Sequence, residues 1–182
     1  MRDEMTIKAA IGLRVRLRRT RLIARARLAL AGFAVCWIAG STAADAAALD
    51  RFAGQWVVAG AVVAPWASDP RDPGDTADAQ RLVGQRLAIG AGVFRAPDPL
   101  GCAKPTFAFR TAAADMLFEG SLNADGANKP TDPVAAARSL GVTQKISPAM
   151  TANCSEVEFV LIDRDTMLFG LNNRVFTVKR AK

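Results

Sequence analysis

The chain has 182 residues, 51% of them apolar, with 24 Lys/Arg against 17 Asp/Glu and neither His nor Tyr. A net charge of +7 would ordinarily suggest a nucleic acid or an anionic surface, but nine of the basic and only three of the acidic residues precede Leu49; the 134 residues from there onward carry fifteen against fourteen, a net +1. Such a domain has no reason to condense on phosphate, which excludes nucleic acid as a partner, and the lack of His removes Ser-His-Asp and Cys-His nucleophile systems and the commonest zinc sites.

Residues 1–48 read as a signal peptide. Arg14, Arg16, Arg18, Arg19, Arg21, Arg25 and Arg27 precede the uncharged run LALAGFAVCWIA and the small-residue stretch GSTAADAAA. A basic region, a short apolar core and a small-residue cleavage site make an export signal, and the core is shorter than the roughly 20 residues that a membrane span needs. Ala44-Asp45-Ala46 is the best cleavage motif and Ala46-Ala47-Ala48 the second, so the mature chain should start near Ala47 or Leu49 and be periplasmic or secreted, meeting the membrane only during export. Arg18-Arg19 is followed by polar Thr20 and charged Arg21, which favours general secretion over twin-arginine export. Cys36 follows bulky Val35 and lacks the small residues of a lipidation site, and Met5 is an alternative start. Residues 49–182 then form one domain of ordinary size.

From Leu49 the apolar residues follow the two-residue period of half-buried antiparallel strands. QWVVAGAVV places Trp56, Val58 and Val62 on one face; SDPRDPGDTADA, with Pro70, Pro73 and Gly74, reads as a surface loop. RLVGQRLAI aligns Val83, Gln85, Leu87 and Ile89, and PTFAFR pairs Phe107 with Phe109. AADMLFEGSL fits either a short helix or an irregular edge, whereas TDPVAAARSLG is a compact helix with Asp132 as N-cap, Pro133 at the first position and Gly141 at the stop. EVEFVLID turns Val157, Phe159 and Leu161 inward and Glu156 and Glu158 outward; TMLFGL and RVFTVKR complete a three-stranded meander, with Asn172-Asn173 suited to a tight hairpin. The expected fold is mainly β: a small antiparallel up-and-down barrel of seven or eight strands with one short helix, closed or nearly so.

Cys36 leaves with the leader, so Cys102 and Cys154 are the two cysteines of an exported chain and are expected to form a disulfide. The bridge closes a long loop and would contribute about 4 kcal/mol in the chain-entropy model.

The opening LDRFAGQW, with Gly54-x-Trp56 at the start of the first strand, resembles the beginning of a lipocalin-like (calycin-type) barrel, and the plan of leader, G-x-W start, barrel and single disulfide resembles periplasmic metalloprotease-inhibitor barrels. The C-terminal MLFGLNNRVFTVKR is similar to exported proteobacterial proteins. The lipocalin resemblance implies that Trp56 packs across one barrel end beneath a basic residue of the last strand, for which Arg174 and Arg180 are the candidates.

No catalytic constellation, metal site or cofactor is implied. Asp115 and Glu119 would make a carboxylate pair only on a continuous helix, and Asp163 with Asp165 are too few ligands for calcium. Trp66, Asp69, Arg71 and Asp72 stand at a loop-bearing rim and form the candidate binding surface. The sequence therefore points to a non-enzymatic binding module, a protein-interaction or hydrolase-inhibitor type of barrel with a partner in the cell envelope; the alternative is a carrier of a small apolar ligand. The many large inward side chains favour a filled interior over a ligand cavity.

Overall fold

A computed structural model describes residues 43–67, 71–123 and 132–182. The expected leader falls outside the described residues up to position 42, and so does Asp69. Residues 43–52 form a helix, α1, that runs across both expected cleavage sites; Ala44, Asp45 and Ala46 are helical and exposed, while Phe52 is buried.

Eight strands follow: β1 Gly54–Val63, β2 Arg86–Gly90, β3 Val93–Arg95, β4 Phe107–Ala113, β5 Ile146–Ala152, β6 Glu158–Asp163, β7 Thr166–Leu171 and β8 Arg174–Arg180. They form one antiparallel up-and-down sheet in the order β3-β2-β1-β8-β7-β6-β5-β4. The sheet curls into a half-barrel whose outer strands, β3 and β4, do not pair with each other. The gap between them is bridged by side chains and loop: Phe94 packs edge-on to Phe107 at 6.0 Å, and Cys102 makes an isolated bridge with Phe94. Cys102 is disulfide-bonded to Cys154 with their Cα atoms 5.9 Å apart, as expected. Asn172 has φ +52° in the β7–β8 turn, the left-handed geometry that Asn tolerates.

Two further helices are present where the sequence suggested one. The Pro-rich stretch expected to be a loop forms α2, Pro73–Leu82. Asp72 caps it by accepting from the N–H groups of Gly74 (2.7 Å) and Asp75 (3.3 Å), and Leu82 anchors its far end in the core. Only a few apolar positions mark this helix, so the cap and the proline at its first turn outweigh weak periodicity. Consequently β2 starts only at Arg86, and Val83 is exposed in the intervening turn rather than aligned with Leu87 and Ile89. The expected helix is α3, Pro133–Ser139, capped by Asp132 as anticipated.

The curl encloses one core, with Phe52, Trp56, Phe94, Phe159, Phe169 and Phe176 fully buried among Leu82, Leu87, Leu100 and Met150. A second core lies on the opposite face of the sheet. There Ala149, Val160, Leu168 and Val175 are covered by Leu117, Phe118, Leu122, Ala137 and Val142, with Trp66 at the margin. Two expectations change for this reason. Glu158, expected on a solvated outer face, is 2% exposed beneath this cover, where its carboxylate accepts from Arg110 Nε and, at 3.5 Å, from the N–H of Glu119. Val62, expected inward with Trp56 and Val58, is 51% exposed because the β1–β8 register shifts between Val58 and Gly60. The extra residue of a bulge exchanges the faces of everything beyond it.

Candidate functional site

The end of the half-barrel nearest α1 is built around Gly54, Trp56 and Arg180. β8 pairs with β1 so that Arg180 lies opposite Trp56. Its guanidinium stacks over the indole with Cζ 4.1 Å from the ring centroid, while the indole Nε1 donates to the Phe52 carbonyl at 2.8 Å. Arg180 Nη1 donates to the Ala53 carbonyl at 2.6 Å, and Nη2 donates to the carbonyls of Arg51 (3.1 Å) and Arg164 (3.2 Å). The cation thus meets carbonyls at the C-terminal end of α1, where positive charge is favoured. Gly54, at φ +134°, leaves room for it: a Cβ there would sit 2.6 Å from Nη1. Of the two basic candidates, Arg180 therefore lies over Trp56. Arg174 begins β8, opposite Val63, and its Nη2 is 3.4 Å from the Thr76 hydroxyl on α2.

Beside this plug opens a cleft of about 540 Å³, lined by Asp50, Arg51, Gln144, Pro148, Leu161, Asp163, Arg164 and Arg180. Its origin is a split in the sheet. The β5–β6 ladder ends at Ala149 and Val160; the next residue of β5 is Pro148, which has no N–H to give. A register shift between Leu161 and Asp163 takes Ile162 out of the β6–β7 ladder, and its carbonyl accepts instead from the Gln144 side chain at 2.6 Å. At the hairpin Asp163 accepts from the Asp165 N–H at 2.8 Å. Partial desolvation works against ionisation of Asp163, but the Asp165 N–H, the Thr166 hydroxyl, the Lys179 ammonium and the Thr166 N–H outweigh it and hold the carboxyl below the usual carboxylate range.

The expected rim is constituted differently. Trp66 is partly buried: its ring lies 5.2 Å from that of Phe118, it would crowd a Cβ at Gly170 at 3.1 Å, and its Nε1 donates to the Asn172 carbonyl at 3.1 Å. It packs against the outer core while remaining partly exposed. Asp72 is engaged as a helix cap, and Arg71 is exposed in the turn just before it. Asp115 and Glu119 belong to separate 3-10 turns, Ala114–Met116 and Phe118–Gly120, divided by extended Leu117, so no continuous helix aligns them.

Neither a scan of protein-family models nor searches of curated proteins and of solved structures give a match to this chain. The site must be read from its own residues. Sequence reasoning singled out Gly54, Trp56 and Arg180 but missed Arg51, Gln144, Pro148 and Arg164. Pro148 inside an otherwise strand-like run was the available signal, since proline in a paired strand marks the place where a ladder stops.

Proposed function

We propose that the chain is an exported, non-enzymatic binding module that engages a protein partner through its outer surface, in the manner of an inhibitor-type barrel, and that the cleft beside Arg180 is the centre of that surface. One observation supports this reading above others: Trp56 and five phenylalanines, Phe52, Phe94, Phe159, Phe169 and Phe176, are fully buried within the curl. At ordinary packing density such side chains leave little space for cargo. The cleft, by contrast, presents charged groups and an apolar floor at the surface.

The test is capture from periplasmic extract with the purified protein, run beside native mass spectrometry. Stoichiometric recovery of a protein partner, with no small molecule bound, is the expected result. A lipid or other small ligand held within the sheet would replace this reading with the carrier. Export is tested separately, by N-terminal sequencing of protein from the envelope fraction, with a start near Ala47 or Leu49 expected. Recovery of uncleaved chain in the cytoplasm would contradict it.

A further inference from the structure

We infer that the cleft beside Arg180 receives an acidic side chain of the partner protein, gripped between Arg51 and Arg164; this rests on the reading above that partners bind the outside of the half-barrel. Arg51 lies in α1 and Arg164 in the β6–β7 turn, far apart in sequence, yet the carbonyls of both accept from the same nitrogen, Arg180 Nη2, at 3.1 and 3.2 Å. One guanidinium therefore ties together the two backbone segments that carry these arginines. Both residues line the cleft and are exposed, and neither side chain makes a hydrogen bond or ion pair among the described residues. Neither carboxylate of the β6–β7 turn forms an ion pair with them. Asp163 is engaged by its own turn and by Lys179, and Asp165 lies 3.3 Å from Arg180 Nε, leaving Asp50 as the remaining acidic group of the cleft wall. Two like charges on the wall of one cleft without partners favour an anion there, and the planar fork of a guanidinium matches a carboxylate.

The shape extends the argument from a carboxylate to a polypeptide bearing one. A cleft of about 540 Å³ is far larger than one carboxylate, and Leu161 and Pro148 give it an apolar floor for the stem of a Glu and its neighbours. Because the domain from Leu49 onward carries only a net +1, attraction for acid must come from this local arrangement rather than from overall charge.

The experiment titrates the purified protein with fluorescent ten-residue peptides bearing two Glu among apolar residues, with Gln and Lys versions as controls, and with glutarate and inorganic phosphate as free anions. Amide shifts at Arg51 and from Leu161 to Arg164 locate the binding. The Glu peptide should bind at least ten-fold tighter than either control, weaken as salt is raised, and lose at least ten-fold in affinity in Arg51→Gln/Arg164→Gln. That double variant should melt like the parent, since both side chains are exposed. Equal binding of Glu and Gln peptides, no detectable binding of any peptide, or full affinity in the double variant would overturn the inference. So would glutarate or phosphate binding as tightly as the peptide, which would make the cleft a free-anion site. A captured protein partner that the double variant still retains would refute the acidic contact while leaving the binding-module reading intact.

Discussion

A side chain at position 54 would have to occupy the space that Arg180 already fills. Gly54→Ala combines a backbone at φ +134° with a Cβ 2.6 Å from Nη1, so the guanidinium must leave its carbonyl partners or the strand must shift. We expect a loss of about 1–3 kcal/mol in urea denaturation, the usual range for a strained backbone position. Arg180→Met keeps the stem over Trp56 but loses the cation–π contact and the bonds to Ala53, Arg51 and Arg164. It should cost about 2–4 kcal/mol, the sum of a partly desolvated cation–π contact and charged hydrogen bonds. Trp56→Ala should be the more damaging change, at about 3–5 kcal/mol, because the surrounding core cannot collapse into the space of a fully buried indole.

At the scale of elements, the outer layer makes the sharpest distinction. As an anchor at a loop rim, Trp66 would be nearly dispensable for stability; packed on Gly170 and Phe118 with its Nε1 bonded to Asn172, it is a structural residue. Trp66→Ala should therefore lower stability by about 2–4 kcal/mol, measured by thermal or chemical unfolding, and a change below about 0.5 kcal/mol would contradict the packing described. The β6–β7 turn carries a pH dependence. Asp163 has a folded pKa below its unfolded value, so its ionised form stabilises the fold above the normal carboxylate pKa, and that contribution is lost as pH falls through the lower folded value. Asp163→Asn should be destabilising at pH 7, and its difference from the parent should shrink on acidification and vanish once the parent carboxyl is protonated. A difference that grows in acid would reverse the assigned sign.

Over the whole molecule, the disulfide ties the two sides of the open gap. Cys102 lies against β3 and Cys154 in the turn after β5, 52 residues apart, so the covalent link spans the place where β3 and β4 fail to pair. Cys102→Ser/Cys154→Ser should lose about 4 kcal/mol in the chain-entropy account, and the amides of β3 and β4 should lose exchange protection before those of β7 and β8. Uniform loss across all strands would show that the bridge constrains the unfolded chain alone and does not hold the gap.

Strand-by-strand alternation was legible in the residues because a half-buried strand writes its environment into every second side chain: Phe159 with Leu161, Met167 with Phe169, and Phe176 with Val178 all read inward and are buried. Turn and cap chemistry was equally local, as Asn172, Asp132 and Gly141 demonstrate. The single disulfide followed from setting Cys36 apart with the expected leader, which left Cys102 and Cys154. What required the tertiary structure was everything that depends on what covers what. Glu158 looked solvated until residues 117–122 folded over it, and Val62 looked inward until the bulge after Val58 reversed its strand. The meeting of Arg51 and Arg164 at one cleft is such a relation too, with Arg180 bonding the carbonyls of both although 129 residues separate it from Arg51. Periodicity reports the local environment of each strand; covering layers, register shifts and convergent side chains are relations between distant segments, and no single stretch of sequence carries them.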